Sequence, residues 1–126
     1  MKTRTFKLNK LVRDKIVPDH IEHGAEVVHR VLSKEEKIQA LAAKIIEEVS
    51  EGVGLDELAD AQEALDQLIV EQGLTKEQVA AAQADKRAKN GGFKNGDFID
   101  TETWPADHKW AEYYAAEPDR FPQIKN

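Results

Sequence analysis

Cysteine is absent from the chain. That excludes disulfides, thiolate nucleophiles and zinc sites built on sulfur. No stretch approaches the roughly 20 apolar residues of a membrane span, and the opening MKTRTFKLNKLVRDKI lacks the apolar centre of a signal peptide. A cytoplasmic protein with no membrane partner is the expectation. Walker-type and Rossmann glycine patterns are missing, as is any serine or cysteine nucleophile motif. The histidines (His20, His23, His29, His108) are scattered; His20 and His23 stand three apart without a third ligand nearby and read as surface residues. Positive charge is also scarce. The formal net charge is -6, so the phosphates of a nucleic-acid polymer would meet a repulsive surface. A small anionic substrate is admissible if a cation is carried in with it.

What is present is a chain of 126 residues, 40% hydrophobic and 33% charged. That length suits a single domain, 1–126, with a modest core. The pattern is that of an all-α helical bundle. The first segment is basic up to Lys15; Pro18 then suits the first turn of a short helix and Gly24 its end. The valine-rich AEVVHRVL predicts a short extended segment near 25–32. Ser33 and Glu36 form a capping-box pattern, after which Ile38, Leu41, Ala42, Ile45 and Val49 follow at the three- and four-residue spacing of a core-facing helix that stops near Gly52. A second helix is expected from about Leu55 to Gln72, with Leu55, Ala59, Leu65, Leu68 and Ile69 on its apolar side and Gly73 at its end. Thr75 and Gln78 open a third, ending near Asn90 and Gly91. That third helix is alanine-rich and buries little area per residue, so the core is expected to be completed by oligomerisation, as a homodimer or homotetramer. A second extended segment is expected near 93–99. Most of the aromatics collect in a tail, about 101–126, read as a packing arm in which Trp110, Tyr113 and Tyr114 share a short helix.

The densest feature is KIIEEVSEGVGLDELAD, residues 44–60, with Glu47, Glu48, Glu51, Asp56, Glu57 and Asp60. Residues three apart on a helix share a face, so Glu48 pairs with Glu51 and Glu57 with Asp60. If the GVG segment turns the chain back, the two pairs face each other across an antiparallel hairpin. Such hard-oxygen donors suit Mg²⁺, which also accepts phosphate oxygens from a substrate. A charge-dense helix is ordinarily a solvated face. Here, however, each pair lies beside the apolar stripe, and no lysine or arginine occurs from Ile45 through Thr75. The cations gather elsewhere: Lys10, Arg13 and Lys15 early, and Lys86, Arg87 and Lys89 at the end of the third helix. Both groups are candidate phosphate binders, although the second also offsets a helix macrodipole.

The motif Glu-Glu-x-x-Glu followed by Glu-x-x-Asp, here EEVSE (Glu47, Glu48, Glu51) and ELAD (Glu57, Asp60), resembles that of the all-α nucleoside triphosphate pyrophosphohydrolase superfamily, the MazG-like and phosphoribosyl-ATP pyrophosphohydrolase-like proteins. NKLVRDKI at 9–16, VVHRVLS at 27–33 and KRAKNGGF at 86–93 look like one small-protein branch of it. The resemblance implies a MazG-like bundle and a nucleotide pyrophosphohydrolase that uses Mg²⁺, or Mn²⁺ in its place. Glu48, Glu51, Glu57 and Asp60 would be the metal ligands, with Glu47 and Glu48 serving catalysis and Glu47 either supporting the ligands from behind or helping to orient the attacking water. The connection GVGLD is short for the superfamily, and Glu63 is the substitute to which Glu57 can cede its role. Asn90 stands where this branch commonly has arginine. The activity implied is hydrolysis of a nucleoside triphosphate, including non-canonical ones in a house-cleaning role, to monophosphate and pyrophosphate. The alternatives are phosphoribosyl-ATP hydrolysis in histidine synthesis and a non-catalytic helical dimer acting as an interaction module.

Overall fold

The computed structural model describes residues 2–124. It is all-helical: α1 (Ile16–Glu22), α2 (Lys34–Glu51), α3 (Leu55–Glu71), α4 (Lys76–Asn90) and α5 (Lys109–Ala115), with no strand among the described residues. The chain divides into two compact units, one reaching to Asn90 and the other beginning at Gly91. Residues 125 and 126, which close the expected tail, lie outside the described part.

In the first unit, sequence signals set the helix ends. The Ser33 hydroxyl accepts from the Glu36 N–H at 3.3 Å, and the Glu36 carboxylate accepts from the Ser33 N–H at 3.3 Å. Thr75 and Gln78 repeat that reciprocal pair at 3.1 and 2.8 Å. Both boxes satisfy amides that a helix start leaves unpaired. At the end of α3, Gly73 takes φ 72°, which lets its N–H reach the Val70 carbonyl while Leu74 reaches that of Ile69. This is a Schellman ending, and it favours glycine because a side chain is strained there.

α2 and α3 form a hairpin and carry most of the burial. Leu41, Ala61, Ala64 and Ile69 are the buried apolar residues. The inward face of α3 therefore differs from the expected one. Leu68 and Ile69 turn inward as anticipated, but Ala59 is exposed, Leu55 is 84% exposed and Leu65 41%. The reason is steric: the small side chains of Ala61 and Ala64 occupy the line of helix contact, and the bulkier leucines fall to either side. On α2 likewise Leu41 is buried and Ile38 and Ile45 half-buried, whereas Ala42 and Val49 are exposed.

α4 leaves nearly all of its surface in water; only Val79 is half-buried. Lys76 anchors its start to Asp66 of α3 at 3.3 Å. The stretch 25–33 is neither helix nor strand. A lone valine-rich segment has no neighbouring ladder to join, and pairing is what makes a strand.

The second unit is held by rings. Trp110 meets Tyr113 edge-on at 5.6 Å, Tyr114 meets Phe121 at 4.9 Å, and Trp104 stacks on His108 at 4.6 Å. Such offset and edge contacts are the favoured aromatic geometries. α5 carries Trp110, Tyr113 and Tyr114 together, as their spacing predicts, whereas the segment expected to be extended near 93–99 is a bend and turn at 93–95 followed by residues without regular structure.

Candidate functional site

A groove of about 970 Å³ opens in the first unit between the N-terminal segment and the α2–α3 hairpin. Its floor on α2 is the stripe Lys37, Leu41, Lys44 and Glu48, at positions i, i+4, i+7 and i+11. α3 contributes Asp60, Glu63, Ala64 and Gln67. The wall opposite is made by residues around Lys10–Pro18 and by His29–Leu32, so the extended parts of the chain cover the polar face of the hairpin. Five lysines and arginines line the groove against four carboxylates, one net positive charge on a chain whose total is -6. A volume of that size holds a nucleotide-scale ligand.

Two of the four groove carboxylates, Glu48 and Asp60, are answered by cations of the chain itself. Glu48 is only 7% exposed, and Lys44, one turn earlier, lies 3.3 Å from its carboxylate and 3.8 Å from that of Glu47. A carboxylate so far from water is costly without such a partner. Arg13 reaches across from the N-terminal segment and donates to Asp60 at 2.6 Å. At the far end of the groove Lys37 donates to Glu71 at 3.0 Å; this contact, with a second from Gln67, holds the Glu71 carboxyl below its ordinary range.

The sequence candidates thus divide. Glu48, Asp60, Glu63, Lys10 and Arg13 line the groove together. Glu47 points to its flank, into a separate recess of about 150 Å³ shared with Lys10 and Lys44. Glu51 is exposed at the end of α2. Glu57 folds over the turn instead: a side chain on Gly52 or Gly54 would meet its carboxylate oxygens at 3.2 or 3.0 Å. That placement puts a negative charge in the first turn of α3, where the helix dipole favours one. Lys15 is exposed just before α1, and Lys86, Arg87 and Lys89 project from the exposed last turns of α4; none of these four lines the groove.

Sequence reasoning passed over Lys44, Lys37, Arg30 and His29, all of which line the groove; His20, read as a surface residue, is exposed and lines it too. A signal was available. Lys37, Lys44 and Glu48 share one helical face with Leu41, and charge set into an apolar stripe marks a polar site facing the core. The lysine-free window begins one residue after the lysine that matters.

Among the described residues, no three of His, Asp and Glu are gathered to hold a metal ion. Magnesium does not need three: it commonly binds through one or two carboxylates and takes its remaining ligands from water and substrate phosphate. By that measure the donor set fits, since Glu48 and Asp60 present hard oxygens into one groove with Glu63 nearby. No family model, curated protein or solved structure matches the chain. No described helix is long and apolar enough to cross a membrane.

Proposed function

We propose that the chain is a Mg²⁺-dependent nucleotide pyrophosphohydrolase that converts a nucleoside triphosphate, including non-canonical ones, to monophosphate and pyrophosphate. The supporting observation is the groove, which joins carboxylates from both halves of the Glu-Glu-x-x-Glu and Glu-x-x-Asp motif to Lys10 and Arg13 of the KLVRDK block. A polyphosphate needs both signs: cations for its oxygens, and carboxylates for the metal that accompanies it.

Glu48 and Asp60 would hold the metal, with Glu63 in place of Glu57, which is engaged at the turn. The bound ion supplies charge neutralisation and positioning, the two demands of phosphoryl transfer. Lys10 and Arg13 bind the β- and γ-phosphates from the opposite wall. Water attacks the α-phosphorus; its oxygen forms the new P–O bond as the bond to the α,β-bridging oxygen breaks. Pyrophosphate leaves, and the water proton passes to the Glu48 carboxylate, since Glu47 faces the flanking recess. No covalent nucleophile is required.

The MazG-like assignment extends to assembly. No side chain among the described residues is completely buried, while Ile46 is 66% exposed and Val70 60%. A second copy covering these faces supplies the missing burial. Sedimentation of the purified protein as a dimer or tetramer is expected.

A second reading, a non-catalytic interaction module, has one observation in its favour: Lys44 and Arg13 already neutralise Glu48 and Asp60. The two readings separate in one assay. Canonical and modified nucleoside triphosphates are incubated with protein and Mg²⁺, and products are resolved. Monophosphate plus pyrophosphate, abolished by EDTA, is expected. Inert triphosphates with turnover of phosphoribosyl-ATP would move the substrate within the same chemistry, and inertness towards both would leave the module.

A further inference from the structure

Lys44 and Arg13 occupy the positions that a metal ion would contest. Lys44 lies 3.3 Å from Glu48, and Arg13 lies 2.6 Å from Asp60. Both cations line the groove themselves, so they need not travel to reach a ligand within it. Lys44 sits on a rigid helix but carries a flexible four-carbon stem; Arg13 belongs to an irregular segment, and its side chain is 57% exposed.

We propose that these two residues are exchange partners. They hold Glu48 and Asp60 while the groove lacks a ligand, yield them to a divalent cation, and pass to the phosphate oxygens that enter with it. The inference rests on the metal-dependent reading above. Its consequence is a coupling. Mg²⁺ alone must displace two cations that then have no counter-charge. Polyphosphate alone finds the same cations already paired and faces the groove carboxylates. Arriving together, each supplies what the other displaces, so binding of the one strengthens binding of the other by the same factor. The Lys44 pair also keeps Glu48 from standing as a nearly buried, uncompensated charge.

The test is calorimetric titration of the full-length protein with Mg²⁺, alone and in the presence of an α,β-methylene nucleoside triphosphate, which cannot be cleaved at the reacting bond. In the wild type the analogue is expected to tighten Mg²⁺ binding by about tenfold or more, within the usual range of coupling between sites. In Arg13→Gln and Lys44→Gln, Mg²⁺ alone should bind several-fold more tightly and the coupling should shrink to about threefold or less. Lys37→Gln removes one positive charge from the same groove without touching either pair, and it should retain most of the coupling. Arg13→Lys and Lys44→Arg should retain it as well. Circular dichroism of each variant verifies the fold, and the two sites are tested separately so that loss of one variant leaves the other.

If the Gln variants couple as strongly as the wild type, or Lys37→Gln loses as much as they do, the exchange is wrong and the metal-dependent reading stands. If wild-type protein binds Mg²⁺ neither alone nor with the analogue, that reading falls, and the exchange falls with it.

Discussion

The carboxylates inside the groove and those at the hairpin turn are equally dense in sequence, yet they sit in opposite electrostatic settings. Glu48 and Asp60 each have a lysine or arginine within salt-bridge distance, and the first is nearly buried. Glu51, Asp56 and Glu57 take part in no ion pair among the described residues, and Glu51 and Asp56 are exposed. Water screens charges at the turn, so repulsion there is cheap. Water is largely excluded from Glu48, so a counter-charge is needed. A run of like charge is therefore not one feature. Half of it is a solvated helix junction, and half is a balanced polar site whose balance a ligand can take over.

The sharpest way to break this contrast is a pair of isosteric substitutions. Asp60→Asn in the groove should lower turnover by more than the roughly 10- to 100-fold that losing a metal ligand's hydrogen-bond partner costs. Glu51→Gln at the turn should leave kcat/KM within about twofold, since an exposed residue away from the site seldom moves more than about 0.5 kcal/mol. Steady-state kinetics with the preferred triphosphate decides it. Equal losses in both would return Glu51 to the ligand set and undo the division.

The apolar residues follow the same division. Leu41 is 5% exposed on the groove-facing stripe of α2, whereas Leu55 beside the turn is 84% exposed. Truncation of Leu41 to alanine should destabilise the fold by about 2–4 kcal/mol through lost burial and the cavity left behind. Leu55→Ala should cost about 0.5 kcal/mol or less in a monomer. Urea unfolding measures both. A large cost at Leu55 that grows with protein concentration would instead identify the turn face as subunit contact.

Local chemistry was readable from the sequence wherever it acts over one helical turn. The caps at Ser33 and Thr75, the stop at Gly73 and the aromatic spacing of α5 all depend on residues at most five apart. The inward face of α3 and the content of the groove were readable only in part. The first is decided by which residues of α3 let α2 approach, and alanines do so better than the leucines that a hydrophobic pattern selects. The second depends on Arg13 returning to Asp60 across 47 positions, a distance over which periodicity carries no information. The four-carboxylate cluster drawn from spacing alone missed a further point, that the Glu57 carboxylate lies over the turn beside Gly52 and Gly54.

The start of α2 offers a finer version of the same comparison, a carboxylate answered mainly by backbone. The Glu36 carboxyl is held below its ordinary 4.5, first by the Ser33 N–H and then by Arg30 at 3.1 Å. α3 begins at the turn without a side-chain cap, so Asp56 in its first turn has no such bond to lose. A carboxyl depressed in the folded state stabilises it fully above the unfolded value. That contribution disappears as pH falls through the lower folded value. Glu36→Gln keeps an acceptor for the capping box but removes the charge. Its melting temperature should lie slightly below that of the wild type at pH 7, and the gap should close as pH is taken below 4.5. Asp56→Asn, compared at pH 7, should show a smaller gap, because no side-chain cap bond is lost with it. If the two variants respond alike, the cap bond is not what separates the two helix starts, and the helix dipole that both share is the larger influence.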